Sequence, residues 1–121
     1  MRAANHANLA DALYFAGRTA EAITEFAIAT RLEPANAEFA YGRGCLLLQT
    51  GRPAEAVPEF ERALRTNPRH AEAHTNLGSA FAQLGRRDEA LRHVREAVRL
   101  DPSNAPAQQN LTNLEAVAPP R

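Results

Sequence analysis

The chain has 121 residues, fourteen arginines and no lysine against fourteen acidic residues, and 45% hydrophobic content. That is one domain's length, too apolar for a disordered chain and too balanced in charge for a wholesale nucleic-acid binder. No stretch approaches the ~18 apolar residues of a membrane span, the start has no apolar signal-peptide core, and the single Cys45 excludes an internal disulfide. A cytoplasmic location follows as an expectation, and the alanine-rich, lysine-free composition points to a GC-rich, bacterial source.

Read in chain order, the sequence falls into units of 34 residues, 3–36, 37–70 and 71–104. Glycines recur at Gly17, Gly51 and Gly85, prolines at Pro34, Pro68 and Pro102, and alanines at Ala22, Ala56, Ala90 and at Ala29, Ala63, Ala97. In unit one, Leu9, Ala10 and Leu13 mark a first helix, Gly17 ends it, Thr19 can cap the next, and Ala22, Ile23, Phe26 and Ala29 stripe a second helix. Unit two opens on Asn36 as a cap, and Pro53 suits the first turn of its second helix, whose stripe is Ala56, Val57, Phe60, Ala63 and Leu64. Pro58 lies inside that helix and is expected to kink it without abolishing it. Arg43 stands where units one and three have Leu9 and Leu77, so its charge must reach water, find a partner or face a ligand carboxylate. Gly42 and Gly44 weaken the same helix, and Gly44 shares with Gly78 a position suited to close helix approach. Unit three repeats the pattern with Leu77, Gly78, Phe81 and Leu84, then Ala90, Leu91, Val94, Ala97 and Val98. Asn104 can cap a last helix over about 105–117, apolar on one side through Ala107, Leu111, Leu114 and Ala118, as a terminal cap requires, before Pro119 and Pro120 stop it. Strict alternation is absent, so the class is all-α, about seven helices in antiparallel hairpins that bury their apolar faces only by stacking.

Over nearly its whole length the sequence resembles a tetratricopeptide repeat protein, most densely at Asn76-Leu77-Gly78, Phe81, Gly85, Glu89-Ala90 and Pro102. The resemblance implies a single right-handed superhelical domain, 1–121, whose first helices line a concave groove that binds a peptide or protein segment. Carried to matching positions, the groove comprises Asn8, Asp11, Tyr14 and Phe15, then Glu38, Tyr41, Cys45 and Leu48, then Glu72, Thr75, Asn76 and Ser79, with Asn110 from the last helix. Asn8, Asn76 and Asn110 share one position, with Gly42 in the gap. Such a row of amides can pair with an extended backbone, although Asn is also the common residue before Leu-Gly in this repeat. Tyr41, Cys45 and Leu48 share a helix face and, with Tyr14 and Phe15, suggest an apolar patch. Asp11, Glu38 and Glu72 rim it, so the expected ligand has an apolar anchor and a neutral or basic flank. A clamp for a C-terminal carboxylate, as some relatives have, is disfavoured: the corresponding positions hold Ala7, Asp11, Gly42, Glu72 and Asn76. Four first-type helices about 10 Å apart would span roughly 30 Å. That matches about nine extended residues.

Other chemistries find little support. His70 and His74 are four apart, but no third metal ligand follows, and Cys45 has no evident base. The five arginines of residues 86–99 alternate with acids, as on a solvated face. The sequence therefore predicts a non-catalytic adaptor without metal, cofactor, nucleic acid or membrane insertion. The alternatives are a self-associating scaffold, through Ile28 where later units carry Arg62 and Glu96, or a repeat region serving an attached catalytic domain.

Overall fold

The computed structural model describes residues 2–116. They form seven helices: α1 (Ala3–Phe15), α2 (Thr19–Leu32), α3 (Ala37–Gln49), α4 (Pro53–Thr66), α5 (Ala71–Gln83), α6 (Arg87–Leu100) and α7 (Ala105–Ala116). The expectation that Ala118 extends the apolar side of α7 and that the following prolines stop it falls outside the described residues. None of the seven helices is long and apolar enough to cross a membrane.

The same local chemistry makes each turn inside a hairpin. Gly17, Gly51 and Gly85 adopt φ of 81°, 75° and 76°, a region that costs a side-chain-bearing residue strain. Each glycine N–H bonds back to the carbonyl three residues earlier, and the next arginine N–H reaches the carbonyl five earlier, closing a helix-ending turn. Those arginines, Arg18, Arg52 and Arg86, then pair with Glu21, Glu55 and Glu89 on the following helix. Because this turn leaves only Arg18 between Gly17 and α2, Thr19 falls at the first helical position and does not cap α2; Arg18 occupies the cap without a side-chain bond.

Between hairpins the prolines act through the residue before them. Glu33, Asn67 and Asp101 are forced out of helical geometry, with ψ of 79°, 85° and 88°, and each second helix stops there. The next helix is capped by Asn36 on the Glu38 N–H and by Asn104 on the Ala107 N–H. His70 does the same work in unit three, its Nδ1 accepting from the Ala73 N–H at 3.1 Å. Helix α4 runs continuously through Pro58, whose ring is exposed while Val57 and Phe60 stay buried on the other side.

Each hairpin packs along its length, second helices pack on the next unit's first helix, and first helices touch one another from α3 to α5 and from α5 to α7. The first helices therefore line one side of the stack and α2, α4 and α6 the other. Phe60, Leu47, Leu77 and Val94 are its fully buried large side chains. Small residues make this possible: a Cβ on Gly44 would lie 2.7 Å from the Phe60 ring, and one on Gly78 2.4 Å from Val94. Gly42 is constrained in the same way by Phe26, at 2.9 Å, which explains the gap in the asparagine row.

Two apolar expectations are corrected. Leu9 is 39% exposed and Leu84 37% exposed. Leu77, at the position of Leu9, lies beside Leu64 of the preceding unit, and no described residue plays that part over Leu9; Leu84 is the cap residue that ends α5. Arg43 has found a partner in the chain itself. Its Nη1 donates to Glu59 Oε1 at 2.8 Å, and Glu59 is buried. Residues 25, 59 and 93 occupy one repeat position, and each meets the first helix of its own hairpin, in the pairs His6–Glu25, Arg43–Glu59 and His74–His93.

Gly44→Ala should lower stability by about 1–2 kcal/mol, because overpacking against Phe60 outweighs the gain in helix propensity. Urea unfolding would show this as a lower midpoint at unchanged slope. A raised midpoint would mean that the Phe60 ring gives way.

Candidate functional site

The first-helix side carries one connected polar cluster. Tyr41 on α3 donates its hydroxyl to Glu72 Oε2 on α5 at 3.1 Å. Asn76 Nδ2, also on α5, donates to the Tyr41 hydroxyl at 3.1 Å and to Cys45 Sγ at 3.5 Å. The Tyr41 ring lies 4.6 Å from the His70 imidazole. Since His70 Nδ1 accepts from the Ala73 N–H, its Nε2 carries the proton and donates to Glu38 Oε1 at 2.9 Å. Burial, then the neighbouring Cys45 and Glu72, pushes the Tyr41 hydroxyl far above its usual range. Burial likewise raises the Cys45 thiol, against the hydrogen bond from Asn76 that favours the thiolate. Both groups are neutral at physiological pH, and the thiol is poorly suited to nucleophilic attack.

The asparagine row has a structural use. Asn110 Nδ2 donates to Ser79 Oγ at 3.1 Å. Asn76 and Asn110 thus each bond the residue 31 positions earlier, Cys45 and Ser79, tying one first helix to the next. Gly42 has no side chain to offer Asp11, its counterpart. Both amide hydrogens of Asn76 are spent inside the protein; among the described residues its Oδ1 makes no hydrogen bond and is what a ligand N–H could meet.

Tyr41, Glu72 and Asn76 open onto a cleft of about 450 Å³, also lined by Asp101 and Ser103 of the α6–α7 connection and by Pro106 in the first turn of α7. Its lining contains two carboxylates and no cationic side chain. The connection was not anticipated as part of the site, and the only signal was the recurrence of this proline turn one unit after Pro68. The expected apolar patch divides in two. Tyr41, Cys45 and Leu48 are half-buried against the core, whereas Tyr14 and Phe15 stack edge-on at 5.6 Å in the open, Phe15 being 86% exposed. Asn8 and Asp11 are exposed on α1, and Ile28 is half-buried.

His70 and His74 diverge. His74 donates through Nε2 to the Pro68 carbonyl at 3.0 Å, which leaves its Nδ1 to accept from His93 at 3.1 Å. No group of three or more potential metal ligands occurs among the described residues. His93 is neutral at physiological pH: burial, with the charges of His74 and Arg92, lowers its pKa from 6.5 to about 4, against a smaller opposing pull from Glu89 and Glu96.

With this geometry in hand, comparison with known proteins gives a consistent result. The sequence profile of the tetratricopeptide repeat family matches residues 8–57 and 41–105. No curated protein matches the sequence significantly. Among solved structures, the first such domain of Spaghetti (RPAP3), bound to the HSP90 peptide SRMEEVD, superposes with a TM-score of 0.91 at 20% identity, covering 94% of this chain and 90% of that one. The second domain of human RPAP3, in complex with the HSP70 peptide SGPTIEEVD, gives 0.90 at 21% identity, with 95% and 96% covered. The Arabidopsis OM64 domain gives 0.89 at 22% identity, again with 95% and 96% covered.

The unfolded chain takes up a proton on His93 near pH 6.5, the folded chain only near 4, so this group's contribution is intact above about pH 6.5 and is lost as pH falls towards 4. His93→Leu should flatten the decline in Tm between about pH 7 and pH 5. An unchanged slope would exclude His93 as its source.

Proposed function

The chain belongs to the tetratricopeptide repeat family, and on that premise we propose that it is a non-catalytic interaction module that holds an extended peptide or partner segment along its first-helix side. The observation behind this reading is the cleft at Tyr41, Glu72 and Asn76, where a half-buried aromatic ring, an acceptor amide oxygen and two carboxylates converge without any cation. An apolar side chain can rest against Tyr41, a backbone N–H can donate to Asn76 Oδ1, and a basic flank can meet Glu72 and Asp101. Asn8, Asp11, Glu38, Leu48, Ser79 and Asn110 extend the same side and complete the candidate surface.

Two of the superposed domains carry peptides ending in Glu-Val-Asp. This chain's ligand differs in charge. An acidic C-terminus brought to Glu72 and Asp101 would face like charges with no guanidinium to offset them. A self-associating module remains the second reading, favoured by the exposed Phe15, Tyr14 and Leu9 of unit one. Sedimentation of Phe15→Asp beside the wild type tests it, and Ile28→Glu does the same for the half-buried Ile28.

Selection from a displayed random-peptide library is the direct test. The expected enrichment is an apolar residue flanked by Arg or Lys, with the preference for basic residues lost in Glu72→Gln plus Asp101→Asn at unchanged helicity. Glu72→Gln keeps an acceptor for the Tyr41 hydroxyl, so the effect would report on charge. Enrichment of acidic C-termini would refute the proposal.

A further inference from the structure

The opposite side of the stack has two junctions between successive second helices, built from the same repeat positions with different chemistry. Between α4 and α6 the cleft is about 310 Å³, and Leu64, Leu77 and His93 line it. Between α2 and α4 it is about 720 Å³, and the equivalent positions carry Thr30, Arg43 and Glu59. Arg62 also lines this larger cleft, at the position of Glu96, together with Arg31 and Arg52. The volume is that of a small-molecule site.

The polar set is not the best packing solution for this position. Leu64 and Leu77, beside an uncharged His93, show that the fold accepts a largely apolar lining there, and replacing a buried ion pair by apolar groups is often neutral or stabilising. The Arg43–Glu59 pair is also incomplete: Arg43 Nε, Glu59 Oε2 and Arg62 Nε are buried without a hydrogen-bond partner, an unfavourable state for groups taken from water. The charge is uncompensated as well. Glu59 engages Arg43, and the exposed Glu55 engages Arg52. Arg31 and Arg62 have no ion-pair partner among the described residues.

We propose that the α2–α4 cleft binds a phosphate monoester. At neutral pH such a group carries close to two negative charges, matching the two uncompensated guanidiniums of Arg31 and Arg62. Guanidinium forks suit phosphate oxygens bidentately. Arg43, held by Glu59, also lines the cleft and leaves its Nε without a partner in the protein. Ile23, Ala27 and Pro34 form an apolar wall for the organic body of the ligand. The site is separate from the peptide cleft and does not depend on it. Its ligand is either a free phosphorylated compound or a phosphorylated side chain of a partner protein.

Titration calorimetry with phenyl phosphate tests the site. Binding is expected to weaken about tenfold in Arg31→Gln and in Arg62→Gln, and to weaken with added salt. No binding at millimolar phenyl phosphate, or binding by both variants as tight as that of the wild type, would overturn the proposal. A serine-phosphorylated tripeptide, set against its unphosphorylated form, separates the sources: tighter binding than phenyl phosphate assigns the site to a modified protein, and weaker binding to a free compound. The double variant Arg43→Leu plus Glu59→Leu, which replaces the ion pair by apolar groups, should match or exceed the wild type in Tm while losing phenyl phosphate. A lowered Tm would show that the polar pair exists for stability and would remove the ground for the proposal.

Discussion

The structure rests on close approach between the two helices of each hairpin. A lone hairpin of this length leaves much of its apolar surface in water, so the helices must come close enough for one large side chain per unit to be sealed between them. Gly44 and Gly78 provide that proximity at one repeat position, facing Phe60 and Val94, and the fully buried Ala10 holds the same position in unit one. The alanines at 22, 56 and 90 and at 29, 63 and 97 are fully buried for the same reason. With the backbones this near, the large side chains become the keel of the stack, and the second helix of each unit is left with a face for the next unit to cover.

The two sides of the stack inherit different freedoms. On the first-helix side, polar residues are tied across units by Asn76 to Tyr41 and Cys45, and by Asn110 to Ser79. These bonds hold the first-helix residues in place, so the Tyr41 ring and the Glu72 carboxylate are fixed relative to one another before the proposed ligand arrives. On the second-helix side, residues 25, 59 and 93 share one position but select different partners. His6 is available to Glu25, whereas unit two has Ala40 in the place of His6, and Glu59 turns to Arg43. The substitution of Arg43 for leucine and the presence of Glu59 are thus two halves of one change, which opens the α2–α4 junction.

Most of the architecture was legible in the sequence because backbone chemistry is local. A glycine after a helix, a proline after a helix and a capping residue before a helix act within a few residues; the glycine and the proline recur at the 34-residue step, as does the cap, with His70 standing between Asn36 and Asn104. Thr19 misled because the tight Gly17 turn starts α2 one residue after Arg18, which puts Arg18 in the cap and Thr19 inside the helix. Leu9 and Leu84 misled because an apolar residue on the correct face is covered only if a neighbouring unit reaches it.

The sequence by itself determined the seven helices, their turns, the stacking of three units and the residue types available on each side. Tertiary structure decided what those residues do with one another. Asn76 spends its amide hydrogens on residues 31 and 35 positions away, His70 turns its ring onto Tyr41, and Arg43 meets Glu59 across a hairpin. Such pairings depend on side-chain reach and orientation between helices, and a periodic pattern along one chain carries no record of distances across it.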